Sequence, residues 1–379
     1  MNSSDSPSGR ELFSGRKPYN PRRPNGLDSA AVYLITLVCW LLLGLLLRYG
    51  LDDFLRAVIR YDYYLYLIVN LFFSQGLLFL IAFCYCRVRR FNPFAGGGYV
   101  AKWDGVQILM CMLLVAGIMV SFFYTHAVFG YDMADLFGTE EITDVDIPTS
   151  PLSPFFGFVY LILTAVCPAV VEEMLFRGIV LRGLEQFGSV FAILCSSLMF
   201  SFLHGSFQMM ILQFLIGVAI AVVVTVTGNC LLGSVMHFFN NSFAVVAGLF
   251  MNHSLSEIFP SDAVYLFGSL TDAVIIVFGV ICLFVSVLYF GSMIVEREKN
   301  KALGKKPASF GISYAFADEQ TGVVAFRDAS EKAEYYGETT NELLFVRGKF
   351  RRNTKRASSV LCYVLLGVGL LFALALIFV

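Results

Sequence analysis

Charge is scarce in this chain. Lys, Arg, Asp and Glu make up 15% of its 379 residues, against roughly 25% in an ordinary soluble domain. The net charge is −1, so nothing in the balance gives reason to expect nucleic acid as a partner. No Cys-x-x-Cys occurs among the nine cysteines. Most of them sit in apolar runs such as LVCWLL and GVICLF, where they read as small buried hydrophobes rather than disulfide partners or zinc ligands. The polar first thirty residues contain no cleavable signal sequence, so targeting is expected to rely on the first membrane span. His-Glu-x-x-His is missing, no internal repeat is found, and there are four histidines in all.

What fills the chain instead is apolar. Hydrophobic residues account for 58% and the mean hydropathy is +0.73, the composition of a polytopic membrane protein. A bilayer core about 30 Å thick takes about 20 residues of helix. Nine runs approach that length: Ala30–Leu47, Tyr64–Cys86, Gly105–Tyr124, Phe155–Val171, Ser189–Leu203, Gln208–Val226, Leu231–Met251, Ala273–Ile294 and Ser359–Val379. The fifth is short for a span, and the fourth continues amphipathically to about Gln186.

Lys and Arg accumulate on the cytoplasmic side of membranes. With the N-terminus inside, 24 of the 27 fall on that side, the exceptions being Arg48, Arg56 and Arg60 in the first outer loop. The expected fold is all-α, a polytopic membrane bundle of about nine transmembrane helices, with a small cytoplasmic insertion before the last. It divides into a polar cytoplasmic tail (1–29), N-terminal membrane helices with an acidic outer loop (30–150), a membrane core (151–251), an outer loop with the eighth helix (252–294), a cytoplasmic soluble segment (295–358) and a C-terminal helix (359–379). The soluble segment has a stretch with short-strand character, FGISYAFADEQTGVVAFRDA, and ends on VRGKFRRNTKR beside a span. An anionic lipid surface attracts such basic clusters, so the segment reads as a membrane-proximal stop signal.

Ionisable side chains inside membrane helices cost several kcal/mol unless paired or hydrated, which makes them functional candidates. Glu172, Glu173 and Arg177 stand in AVVEEMLFRG at the end of the fourth run, His204 in FSFLHG and His237 in MHFFNN. His126 and His253 fall at the outer ends of the third and seventh runs. Glu173 and Arg177 are i and i+4, in the favourable order for an ion pair. Glu172, rotated about 100° away, is the carboxylate left free. His237 and Asn241 share a face one turn apart. Counted from a turn near Phe187 at 1.5 Å per residue, Glu172 and His204 lie at nearly equal depth. His237 lies about 12 Å above a turn at Gly228 and Asn229, so it meets them only if the fourth and fifth helices project below the membrane or the seventh tilts.

A carboxylate facing an imidazole in a partly dry cavity binds and deprotonates water, and a second His with an amide one turn on supplies donors for an oxyanion. Together these make the apparatus of amide hydrolysis, acting on a peptide or protein substrate at the lipid bilayer. Singly the motifs say less, because a Glu-Arg pair can join helices and a lone buried His is often a packing residue. The rival class is a non-enzymatic membrane protein, a proton-coupled transporter or a scaffold, with Glu172 and His204 as relay or structural groups. Transport calls for paired repeats with broken helices; the candidates cluster in one quarter of a chain without repeats, which favours hydrolysis.

In this order, EEMLFR, FSFLH and HFFNN resemble the three motifs Glu-Glu-x-x-x-Arg, Phe-x-x-x-His and His-x-x-x-Asn of the CPBP family of intramembrane proteases, which includes type II CAAX prenyl endopeptidases and bacteriocin-processing relatives. The resemblance covers about Phe155 to Leu249. It implies Glu172 as the base, His204 as its partner on the water, His237 and Asn241 as oxyanion donors, and Glu173 with Arg177 as support. For the cofactor it implies either none, a glutamate mechanism being the expectation, or a divalent metal such as zinc on Glu172, His204 and His237 with one open position. A bacterial cell membrane is the expected location. The basic partition makes topology directly testable. Single cysteines placed between Ser313 and Val324 in a cysteine-free background are expected to resist an impermeant thiol reagent in intact cells and to react after permeabilisation.

Overall fold

The computed structural model describes residues 24–61, 63–89, 91, 99, 104–129, 154–204, 207–251, 261–302 and 356–377. Among the described residues all regular structure is helical and no strand occurs. That is the solution a bilayer demands, since each backbone N–H and C=O must find its partner within its own segment. The expected soluble segment beyond Ala302, the acidic outer loop and His253 lie outside the described residues.

Each of the nine apolar runs lies on a helix over its described residues. α1 (Gly26–Leu45) ends in a π turn (Leu46–Gly50), and a short α2 (Asp52–Tyr61) leads into α3 (Tyr63–Arg89) and then α4 (Gly105–Phe129). α5 covers residues 154–184 and alternates in character: α over Pro154–Leu161, Cys167–Glu173 and Arg182–Leu184, wider π geometry over Ile162–Val166 and Met174–Leu181. α6 (Ser189–Leu203), α7 (Phe207–Thr227), α8 (Cys230–Met251), α9 (Ser261–Ala302) and α10 (Arg356–Ile377) follow.

Among the described residues six helices are long and apolar enough to cross a membrane, namely α1, α3, α4, α5, α7 and α9, while the apolar stretches Ser189–Leu203 and Leu361–Ala375 are shorter. The expectation of nine spans is met by six on this measure. α8 runs 22 residues and carries Ser234, His237, Asn240, Asn241 and Ser242 among its apolar side chains; its side chains are described only as far as Phe243. α2 has no counterpart among the nine apolar runs, because DDFLRAVIRY is too short and too charged to register as one. α9, at 42 residues, runs past its apolar stretch at both ends.

The helices differ in what they face. α9 presents Val274, Val277, Ile281 and Phe284 outward, as a lipid-facing helix does. α5 is the interior element, contacted by α1, α3, α6 and α8, and all eight residues of Met174–Leu181 are buried. Two glycines make the turns around it. Gly188, at φ +123°, joins α5 to α6, and Gly228, at φ +73°, joins α7 to α8; backbone there adopts conformations open to glycine at little cost.

α1 is clamped onto the lower half of α5. Asn25 and Asp28 form a capping box, and Asp28 also takes the Arg89 guanidinium of α3 at 2.8 Å. Ser29 Oγ donates to the Val180 carbonyl at 2.9 Å. The approach depends on Gly183, because a Cβ there would overlap Ser29 Oγ and the Asn25 carbonyl. Overpacking a fitted contact costs about 1–3 kcal/mol. Gly183→Ala is therefore expected to lower the Tm of the detergent-purified protein by several degrees, whereas Gly44→Ala, which meets open space, leaves it unchanged.

Candidate active site

α5 carries three of the ionisable residues, and its irregular geometry has a cause. Pro168 has no N–H, so the Thr164 carbonyl cannot make its i+4 helical bond, and the helix widens to π over Ile162–Val166. The side chain of Asn241, on α8, fills the gap: its Nδ2 donates to the Thr164 carbonyl at 3.0 Å. A second π stretch begins directly after Glu173. Such stretches occur often at functional sites because they re-aim side chains within an otherwise regular helix.

Glu173 is the hub. Its Oε1 accepts from Arg177 Nη1 at 2.8 Å and from His237 Nδ1 at 2.9 Å, and both Glu173 and Arg177 are 0% exposed. Arg177 Nη2 donates to the Gly217 carbonyl of α7 at 3.1 Å, and the guanidinium lies 4.6 Å above the Phe200 ring. Four helices thus meet on one ion pair. The depth question raised by the sequence is answered by an offset between helices: Cys230, the first residue of α8, has its Sγ 3.8 Å from the Glu173 carbonyl. α8 therefore starts level with Glu173, and its second turn brings His237 across to it.

Glu172, 6% exposed, faces the other way, as its helical phase requires. Its Oε1 accepts from Gln75 Nε2 of α3 at 2.9 Å. Its Oε2 is buried and without a hydrogen-bond partner, and stands 3.8 Å from His237 Nε2. That is too long for a direct hydrogen bond and short enough for one water to bond both atoms. A carboxylate only accepts, so His237 Nδ1 carries the proton given to Glu173, and Nε2 is the nitrogen turned toward Glu172.

His204 caps the end of α6. Its Nδ1 lies 3.0 Å from the Phe200 carbonyl, an acceptor, so Nδ1 is protonated and Nε2 is left for other work. The side chain is exposed yet within electrostatic reach of Glu172, His237 and Arg177; that combination describes a recess lined by the site. Phe200 lies edge-on to both imidazoles, 4.8 Å from His204 and 5.6 Å from His237, and fixes their relative placement. Asn241 is engaged with Thr164 through one side, and its Oδ1 accepts from Asn240 Nδ2 at 2.9 Å.

Glu172, Glu173, Arg177, His204 and His237 are thus brought together, with Asn241 one turn away from His237. Two participants escaped the sequence reading. Gln75 lies 97 residues before Glu172, and its one trace is a lone amide in the apolar run FFSQGLL. Phe200 is visible only as a motif letter among 38 phenylalanines. Tyr99, outside the spans, adds a brace: its hydroxyl bonds the Val170 carbonyl at 3.2 Å and accepts from Ser234 Oγ at 3.3 Å. Burial holds its phenol well above the ordinary tyrosine value, so it stays a neutral donor. Among the described residues no three His, Cys, Asp or Glu side chains gather to hold one ion, so zinc on Glu172, His204 and His237 would require the atoms they leave free, Glu172 Oε2 and the two Nε2 nitrogens, to draw together.

Residues 154–243 match the family model of the type II CAAX prenyl endopeptidase, Rce1-like. The match opens at the first residue of α5 and closes in α8, so it contains every ionisable group of the site and leaves Gln75 and α1 outside. It supports an intramembrane protease of the CPBP family, as the three motifs imply. Neither curated proteins nor solved structures gave a match.

Removing one partner of a buried ion pair costs about 3–5 kcal/mol, because the other charge is left uncompensated. Glu173→Gln and Arg177→Met are each expected to lower the Tm sharply, and the double variant by much less than their sum, in thermal unfolding of the purified protein.

Proposed function

We propose that the chain is a CAAX-type intramembrane endopeptidase that hydrolyses a peptide bond of a membrane-associated protein or peptide, with water activated by Glu172. The observation that carries this reading is the bare, buried Oε2 of Glu172 opposite His237 Nε2. An unsatisfied carboxylate oxygen inside a packed bundle calls for an explanation, and a reacting water supplies one.

In this mechanism a water bonds Glu172 Oε2, with His204 Nε2 orienting it from the recess. Glu172 takes a proton as the water oxygen attacks the scissile carbonyl, and the carbonyl oxygen becomes an oxyanion. His237, with both ring nitrogens protonated, donates from Nδ1 to Glu173 and from Nε2 to that oxyanion, and the second Nδ2–H of Asn241 adds to it. Glu172 then delivers its proton to the departing amine, which breaks the C–N bond and regenerates the carboxylate. Two carboxylates and one guanidinium leave a single negative charge, and the proton on His237 balances it. In a site poor in water such charges act at low dielectric and stabilise the transition state more strongly than they would in solution.

The name of the matched family points to prenylated CAAX termini, so a farnesylated CAAX peptide is the first substrate to assay, beside its unprenylated form. Glu172→Gln is expected to abolish cleavage. His237→Ala should lower kcat by about 10²–10³ with little change in KM, the behaviour of a donor used only in the transition state. His126→Ala, at the outer end of the third apolar run by the sequence reading, should match wild type. Full activity in Glu172→Ala or His204→Ala would return these groups to a relay or structural role.

A further inference from the structure

We propose that Gln75 is a positioning residue for Glu172, holding its carboxylate away from His237 so that water rather than the imidazole occupies Oε2. The inference rests on the hydrolytic reading above. Gln75 sits in the middle of α3, a helix with no part in the matched segment, and is 8% exposed among apolar neighbours. Burying an amide is unfavourable unless it is hydrogen-bonded. This one spends its donor on Glu172 Oε1 at 2.9 Å and leaves its own Oε1 buried without a partner. The orientation is fixed by chemistry, because a carboxylate accepts only, so Nε2 must face it.

The competing arrangement is close by. Glu172 Oε2 and His237 Nε2 are 3.8 Å apart, and a turn of the Glu172 side chain by about an ångström would close them into a direct charge-assisted bond of about 2.8 Å. Such a bond would occupy the base and the oxyanion donor at once and exclude the water. Glu173 cannot prevent it, since it holds the far nitrogen of the ring. The charge-assisted bond from Gln75 pulls Oε1 toward α3 and so sets the gap. Hydrogen bonds to charged groups contribute enough for about a tenfold to hundredfold effect on a population.

The test measures kcat and KM of the full-length enzyme in detergent on one cleaved peptide, normalised to the folded fraction from thermal unfolding. Gln75→Met, near-isosteric and without a donor, is expected to lower kcat about tenfold or more with KM within about twofold. Gln75→His, whose Nε2–H falls near the place of the amide nitrogen, should recover most of the loss. A structural role predicts instead that both variants lose folded protein and keep kcat per folded molecule. Wild-type kcat in Gln75→Met, or equal losses in the two variants, would overturn the inference. If Gln75→Met does not fold, Gln75→Glu decides: the same length with an acceptor in place of the donor must give a kcat well below that of Gln75→His, and equality refutes the proposal. Glu172→Gln run alongside separates the two failures. If it retains activity, the hydrolytic reading falls; if it is dead while Gln75→Met is normal, only the role of Gln75 falls.

Discussion

A single carboxylate oxygen, Glu173 Oε1, takes a guanidinium from its own helix and an imidazole from α8, and the rest of the site is arranged around that sharing. Because Arg177 neutralises Glu173, a second carboxylate can stand next to it in sequence without two bare charges meeting. Because His237 gives its Nδ1 proton to Glu173, its Nε2 is committed to the side where Glu172 waits. The same guanidinium reaches the backbone of α7 and lies on Phe200 of α6. The ion pair is therefore less a source of net stability, which buried pairs seldom are, than a device that gives four helices one shared register.

Much of this was legible in the sequence, for reasons that can be named. The Glu173–Arg177 pair follows from helical spacing, and it survives even though the backbone widens to π directly after Glu173. That Glu172 stands outside the ion pair follows from the same phase, although its Oε1 is held by Gln75. The helical class follows from the apolar runs, each of which lies on a helix over its described residues. What spacing could not supply is the third dimension. The Glu173–His237 bond crosses 64 residues and the Gln75–Glu172 bond 97, and no periodicity encodes either. Depth counting assumes antiparallel helices that start level, whereas α8 starts beside Glu173.

Pro168 illustrates how a local defect becomes a long-range contact. It removes one N–H from α5, which frees the Thr164 carbonyl, and that carbonyl is where the amide of Asn241 lands. One proline therefore seats α8 against α5 at Thr164 while Glu173 seats it nearer the start of α8. Between the two anchors His237 has little room to turn. The amide that completes the family motif is, in this arrangement, a joint between helices as well as a group near the chemistry.

The clamp of α1 and α3 on α5 has a consequence for how the protein is made. Chains emerge N-terminus first, so Ser29, Asp28, Gln75 and Arg89 are already in place when α5 arrives with two acids and a base in an apolar helix. Arg177 meets Glu173 within its own helix, and Glu172 finds Gln75 waiting. His237, the Gly217 carbonyl and the Phe200 ring come later. The charges most costly to leave in lipid are thus matched in the order of synthesis, and an N-terminal deletion would deprive α5 of its partners at the moment of insertion.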